Sequence, residues 1–395
     1  MSFEPGAPPE AGVIPLHVPE LTGNERRYVL ECLDSGWISS VGPFVQRFER
    51  SVADVTGRRH AVAVVSGTAA LHLALLAAGV KADDEVIVSA LSFVAPANAI
   101  RYLGAWPSFI DAEPAHWQMD PRKLEEFLAR KCAVSGGELH NRVTGRRVAA
   151  IVPVHVLGHP CDMDSIRALA ERYHLVLIED AAEALGAGHR GRPVGAVGLA
   201  ACFSFNGNKL FSTGGGGIVV TDDDEVARRV RYLSTQAKDD PIEYRHDEIG
   251  FNYRLPSLQA ALGCAQLERM TVFVDRKREI ARRYSERLGD IPGIDLMREA
   301  PWAKSTFWLY TVLVDEKRYG MSSRALLHHL DAKGIQTRPL WTPLPRLAPY
   351  LTAPRTEIEV ADRLHASALS IPCSVGLTEG QLDQVADAIR RGARA

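Results

Sequence analysis

The stretch FSFNGNKLFSTGGGG, residues 203–217, sets one lysine, Lys209, between a hydroxyl-bearing apolar run and four glycines. A lysine there either stays solvated or offers an amine for covalent and proton-transfer chemistry. The glycines would let backbone approach a ligand closely. The stretch is no Walker-type phosphate loop, which needs Gly directly before the Lys and a hydroxyl directly after it; here Asn208 precedes and Leu210 follows. Three other stretches carry complementary groups. Ser66-Gly67-Thr68 stands between an apolar run and a helical pattern, where it is either a helix cap or a cradle for phosphate. IEDAAEALG sets Asp180 at the end of an apolar run, where its carboxylate either meets a cationic ligand atom or caps the next turn. The same stretch brings Glu183 near that pocket or onto a solvated helix face. SALSFVAPANAI sets Phe93 at a strand edge, either in the core or stacked on a planar ligand.

Together these groups fit one cofactor, pyridoxal phosphate: phosphate at a helix N-terminus, an aromatic over the ring, Asp180 on the ring nitrogen, and Lys209 as the Schiff-base amine. A competing motif, Gly186-x-Gly188-x-x-Gly191, matches the dinucleotide-binding pattern. It starts six residues after Asp180 rather than at the strand end, and no apolar helix follows it.

The elements that must position these groups are legible as seven short apolar runs, at 60–66, 85–90, 107–112, 148–156, 175–181, 201–205 and 217–222. Several alternate with amphipathic helical patterns such as PRKLEEFLARKC and DMDSIRALAERYH. Apolar strands alternating with helices predict an α/β fold with a mainly parallel sheet covered on both faces. The last two runs, which flank the glycines, could instead pair antiparallel. From about residue 270 the text changes to charged helix, then FWLYTVLVD, then two more helices, which predicts a smaller C-terminal α+β domain. The expected organisation is a loose Pro-rich arm over 1–13, a large domain over 14–265 and a small domain over 266–395. Residues 133–147 read as an exposed insertion.

With 46 basic against 48 acidic residues, no one-signed field exists to hold nucleic acid or a membrane surface. Six cysteines without a CxxC pair fit neither a zinc site nor a disulfide framework, so we expect no metal and reduced thiols in the cytoplasm. Residues 62–80 carry no Asp, Glu, Lys or Arg, but Ser66-Gly67-Thr68 should break them into strand, turn and helix rather than a membrane span.

Seven motifs in order, SGTAALHLAL, SFVAPANAI, VHVLGHPCDMDSI, IEDAAEALGA, FSFNGNKLFSTGGGG, GFNYRLPSLQAALG and GIQTRPLW, resemble the DegT-type nucleotide-sugar aminotransferases from about Ile14 to the C-terminus. The resemblance implies fold type I of the pyridoxal-phosphate-dependent transferases: a seven-stranded large domain, a small C-terminal domain, and a homodimer with shared active sites. It makes Lys209 the lysine that carries the cofactor and Asp180 the partner of its ring nitrogen. Phe93 becomes the stacking aromatic, with Gly67, Thr68 and Ser204 as phosphate contacts. Asn252 becomes a phosphate contact reaching in from the other subunit. Glu183 stands where many relatives have Gln or His, and a carboxylate facing the cofactor's phenolic oxygen needs a shared proton or a neighbouring donor. Ser39, Ser40, His155, His159, Gln236, Lys238 and Arg338 lie in family-like loops as candidate substrate contacts, each also readable as turn, cap or surface.

Within the family, IPLHVPELTGNE, DSGWISSVG, LSTQAKDDPIEYRHDEIGFNYRL and IPCSVGLT look most like enzymes of the legionaminic acid and bacillosamine pathways. These aminate C4 of a UDP-linked 2-acetamido-2,6-dideoxy-4-keto-hexose with L-glutamate, for bacterial surface glycans. GDP-perosamine synthase, which acts on GDP-4-keto-6-deoxymannose and shows an EDAAEALG-like stretch, is the alternative. Two other classes remain: a dehydratase on the same scaffold, in which histidine replaces the lysine, and a noncatalytic sugar-nucleotide sensor.

Overall fold

The computed structural model describes residues 12–240 and 242–393. The expected arm therefore lies outside the described residues, apart from Gly12 and Val13. The seven apolar runs form seven strands: β1 (His60–Val64), β2 (Glu85–Ser89), β3 (Trp106–Ile110), β4 (Val148–Val152), β5 (Val176–Asp180), β6 (Ala200–Ser204) and β7 (Gly217–Thr221). They make one sheet in the order β1-β7-β6-β5-β4-β2-β3. Every pair is parallel except those of β7, which runs antiparallel to β1 and β6. The cause is the connection: residues 205–216 contain no helix to carry the chain back across the sheet, so β7 must return beside β6. β2 and β7 are buried at all five positions, as expected of strands covered on both faces.

Helices α1 (Glu25–Ser35) and α2 (Pro43–Thr56) precede the sheet, and α3 (Gly67–Ala77) packs on β6 and β7. Ser66 caps α3, its hydroxyl oxygen accepting the Ala69 N–H at 3.0 Å. The apolar text of 62–80 is thus divided between β1 and α3 at the predicted turn. Among the described residues, no helix is long and apolar enough to cross a membrane. All six cysteines are free and buried.

The segment read as an exposed insertion is a hairpin, Cys132–Ser135 with Glu138–Asn141. Asn141 donates to Glu85 at 2.8 Å, and the Thr144 hydroxyl also donates to it. Glu85 is fully buried in β2, and these bonds satisfy its carboxylate, which ties the hairpin to the sheet.

α4 (Ser257–Leu267) contains the expected boundary at 265 and leads into α5 (Met270–Leu288). The C-terminal part is an antiparallel sheet of β8 (Ile294–Leu296), β9 (Tyr310–Val314), β10 (Arg338–Pro339) and β11 (Ala368–Ile371), in the order β8-β9-β11-β10. α5 packs on β8 and on the closing helix α6 (Glu379–Gly392). Residues 14–18 run against this part. The Ile14 N–H donates to Gly334 O at 2.8 Å, and Leu16 O accepts the Cys373 N–H at 2.9 Å.

Candidate active site

A cavity of about 720 Å³ opens where the C-terminal ends of the parallel strands face the C-terminal part. Open α/β sheets collect ligands at that edge, because each strand ends there in a loop whose backbone and side chains point outward. β5 supplies Asp180, β6 supplies Ser204, the turn after β1 supplies Gly67 and Thr68, and the loop after β2 supplies Phe93. The loop after β6 supplies Lys209. Glu183 and Arg338 also line the cavity. The cofactor candidates of one chain, Asn252 excepted, are therefore brought together.

At one end of the cavity, helix geometry leaves the Gly67 and Thr68 N–H groups without a carbonyl of their own helix. A Cβ built on Gly67 would meet the Ser204 Cβ at 2.9 Å. That close approach sets a serine hydroxyl beside the positive end of α3, a donor set suited to a phosphate. The glycine tract serves the same closeness in part. A Cβ on Gly217 would lie 2.3 Å from the Ser66 carbonyl, and one on Gly216 would lie 2.4 Å from the Thr213 hydroxyl. Gly214 has open space and a φ of +76°, so its role is a left-handed turn instead.

Deeper in, Asp180 is 3 % exposed and accepts a hydrogen bond from the Ala182 N–H at 3.1 Å. Burial pushes its carboxyl up to about 6; the Ala182 N–H and Lys209 oppose this, while Glu183 adds to it. A buried carboxylate so placed is suited to a protonated ring nitrogen. Lys209 lies between two groups that stabilise a cation: Glu183 Oε1 at 3.3 Å, and the face of Trp308, whose ring centroid is 4.0 Å from Nζ. Burial raises the Glu183 carboxyl, countered by Lys209 and by the Leu157 N–H, which donates to Oε2 at 2.8 Å. Leu157 holds a left-handed φ of +60° that costs a leucine about 1 kcal/mol. The turn persists because Glu183 binds its N–H while Leu157 O accepts the Trp308 N–H at 3.0 Å. The neighbours of Lys209 thus also fix this turn.

Phe93 stands at the cavity's lip, 55 % exposed on the single chain. Taken together, phosphate donors, an aromatic, a buried carboxylate and a lysine amine around one cavity fit pyridoxal phosphate.

Two sequence candidates need correction. His155 and His159 are fully buried and do not line the cavity. The Cys161 N–H occupies Nδ1 of His155 at 3.0 Å, and Nε2 faces Glu179 at 3.0 Å. The Ala300 N–H occupies Nε2 of His159 at 3.0 Å, and burial lowers that ring to about 4. Both are structural histidines with their nitrogens engaged; burial lowers His159, whereas for His155 burial is outweighed by the Cys161 and Glu179 contacts, which raise the ring to about 10. Ser39, Ser40, Gln236, Lys238 and Asn252 also lie outside the cavity of their own chain. The Ser39 carbonyl accepts the Ser257 N–H, and Lys238 stacks over Tyr244.

Trp308 and His17 line the cavity and were not singled out from the sequence. Trp308 sat inside FWLYTVLVD, which reads only as a strand. His17 sat in IPLHVPELTGNE, which reads only as a motif. Neither carries a local signal of its own.

Comparison with known proteins agrees with this geometry. The profile of the DegT/DnrJ/EryC1/StrS aminotransferase family matches residues 19–390. The chain is 40% identical over 379 residues to GDP-perosamine synthase of Caulobacter vibrioides, covering 95% of this chain and 97% of the relative. It is 38% identical over 376 residues to GDP-perosamine synthase of Escherichia coli O157:H7, covering 95% and 97%. Its fold superposes on the crystal structure of S. venezuelae DesV with a TM-score of 0.84 at 34% identity, covering 94% of this chain and 95% of that one.

Proposed function

The chain belongs to the DegT/DnrJ/EryC1/StrS aminotransferase family, and from that membership we propose that it transfers the amino group of L-glutamate to C4 of GDP-4-keto-6-deoxymannose, forming GDP-perosamine. That it is a pyridoxal-phosphate-dependent sugar aminotransferase rests on family, relatives and fold together. The observation that carries the choice of sugar is the 40% identity to a GDP-perosamine synthase over nearly the whole of both chains. It favours the GDP-linked alternative over the UDP-2-acetamido reading drawn from motifs. Lys209 in the lysine position speaks against the dehydratase, and against a sensor that has lost its chemistry.

Bound pyridoxal phosphate supplies an electron sink for the carbon that loses its proton. In this reading the α3 N-terminus and Ser204 hold its phosphate, Asp180 keeps a proton on its ring nitrogen, and Phe93 covers its ring. Lys209 Nζ removes the proton from the donor's α-carbon and delivers it one step later, and it does the reverse in the sugar half of the reaction. Each time Nζ carries that proton it is an ammonium, stabilised by Glu183 Oε1 and the Trp308 face. Glu183 keeps its own place through the Leu157 N–H.

A glutamate-dependent assay against UDP-, GDP- and dTDP-linked 4-keto-6-deoxy sugars, with NMR of the product, tests the substrate. We expect kcat/KM for GDP-4-keto-6-deoxymannose to exceed that for the UDP-2-acetamido sugar by at least about 100-fold, since a site built to bond one polar substituent pattern rejects another strongly. Activity confined to the UDP-linked sugar would reverse the assignment.

The same reading includes a homodimer. Ile242, Tyr244 and Ile249 are 69 to 85 % exposed on the single chain, and Phe93 is half exposed at the cavity lip. So much exposed apolar surface supports burial against a second copy. Asn252, exposed and outside its own cavity, then serves the partner's phosphate site. Light scattering should give twice the chain mass of 43.2 kDa, and a monomer at assay concentrations would refute the shared site.

A further inference from the structure

His17 is 7 % exposed, lines the cavity, and has no hydrogen-bond partner on either ring nitrogen. Its backbone is anchored on both sides: Leu16 O accepts the Cys373 N–H at 2.9 Å, and the Val18 N–H donates to Ser374 Oγ at 3.0 Å. The ring is thus held in place by bonds that satisfy the chain around it and leave the imidazole unmatched. A donor and an acceptor buried without a protein partner are costly unless a ligand completes them.

The surroundings indicate which ligand. Lys277 is 1 % exposed, and its Nζ donates to the carbonyls of Trp308 at 2.7 Å and Cys373 at 2.5 Å. Among the described residues it forms no ion pair with a carboxylate. Cys373, whose carbonyl Lys277 holds, is the residue that pairs with Leu16, so the buried ammonium sits behind the segment that carries His17. Burial first, then Lys277 and Lys209, hold the His17 ring well below the usual histidine range. It is a neutral imidazole in a positive field. Arg338 lines the same cavity, while the wall supplied by the large sheet carries Asp180 and Glu183. A ligand with a cationic or amino end and a carboxylate end is therefore oriented by charge, its carboxylate turned away from Asp180 and Glu183. A sugar hydroxyl would gain little from this field, whereas a carboxylate gains a charge-assisted hydrogen bond.

We propose that His17, backed by Lys277, receives the carboxylate of the amino donor. One ring N–H donates to a carboxylate oxygen, and no covalent step is involved. The assignment rests on the glutamate-dependent transamination proposed above.

The test mixes holoenzyme with L-glutamate alone and follows the absorbance of the bound cofactor, then repeats the measurement for the nucleotide-sugar half-reaction. His17→Phe should raise the glutamate concentration for half-maximal rate at least about tenfold with the limiting rate within about threefold, the signature of lost ground-state binding. Its shift for the nucleotide sugar should be much smaller. His17→Gln, which keeps an N–H, should recover most of the loss. An unchanged glutamate dependence in His17→Phe overturns the proposal, and so does an equal or larger shift for the sugar, which would make His17 a sugar contact. If the wild type ignores L-glutamate but accepts another amino acid, the donor reading fails, and the same comparison with that amino acid decides on His17 separately. Should the phenylalanine variant not fold, the wild-type protein still decides: saturating 2-oxoglutarate should shift the His17 ring-nitrogen resonances, and no shift overturns the proposal.

Discussion

Lys209→Ala is expected to lower turnover by at least about 10⁴-fold, equivalent to about 5 kcal/mol of lost transition-state stabilisation. In the proposed mechanism the substitution removes the amine that moves the proton between donor, cofactor and sugar. It leaves Gly67, Thr68, Ser204 and Asp180 in place, so the variant should still bind pyridoxal phosphate and show its absorbance. Steady-state assay beside a spectrum of the purified variant separates the two effects. Added methylamine should restore a small part of the rate, because the cavity left by the side chain lies next to Glu183 and Trp308, which would stabilise the small ammonium as they do Nζ. A variant working at the wild-type rate would remove Lys209 from the mechanism.

Asp180→Asn should give the second largest loss, about 10³-fold in turnover, since an amide cannot hold a proton on the ring nitrogen as a carboxylate does. The same change should stabilise the apo protein above neutrality. In the folded apo protein burial raises the Asp180 carboxyl to about 6, against about 3.9 in an unfolded chain. The unfolded state therefore ionises first. Full stability holds below about pH 4 and declines as pH rises through 6, and beyond that the buried charge costs about 3 kcal/mol. Asparagine removes the cost, so apo Asp180→Asn should melt above apo wild type at pH 8 and no higher at pH 4. Cofactor binding should erase the difference, because the ring-nitrogen cation then pairs with Asp180. Equal melting of the two apo proteins at pH 8 would show that Asp180 is not the strained carboxylate described.

The strands were readable because each is a short apolar run, and a strand covered on both faces leaves that trace in the text. The cofactor candidates were readable for a related reason. Asp180, Phe93, Ser204, Gly67 and Thr68 lie at or just past the ends of those runs, so finding a strand locates its loop edge and the residues on it. The hairpin over 132–141 was missed because its two short strands mix buried and exposed positions with no apolar run, and because it is held by bonds to Glu85, 47 residues or more earlier in the chain.

What the sequence could not settle was facing and company. Glu179 and Asp180 are adjacent acids at the end of one strand, and consecutive strand residues point to opposite faces. Asp180 therefore enters the cavity, while Glu179 turns the other way to accept the N–H groups of Gly195, Val197 and Gly198 and to face His155. His155 followed Glu179 into the core, which is why a family-like loop histidine is not a substrate contact. Trp308 and His17 reach Lys209 from about 100 and 190 residues away along the chain. The sequence alone determined the strands and the cofactor and pointed to the lysine, since those depend on local pattern. Tertiary structure decided which neighbours surround the lysine and left one imidazole in the cavity without a partner, because packing of the C-terminal part against the strand ends is set by contacts that no local pattern encodes.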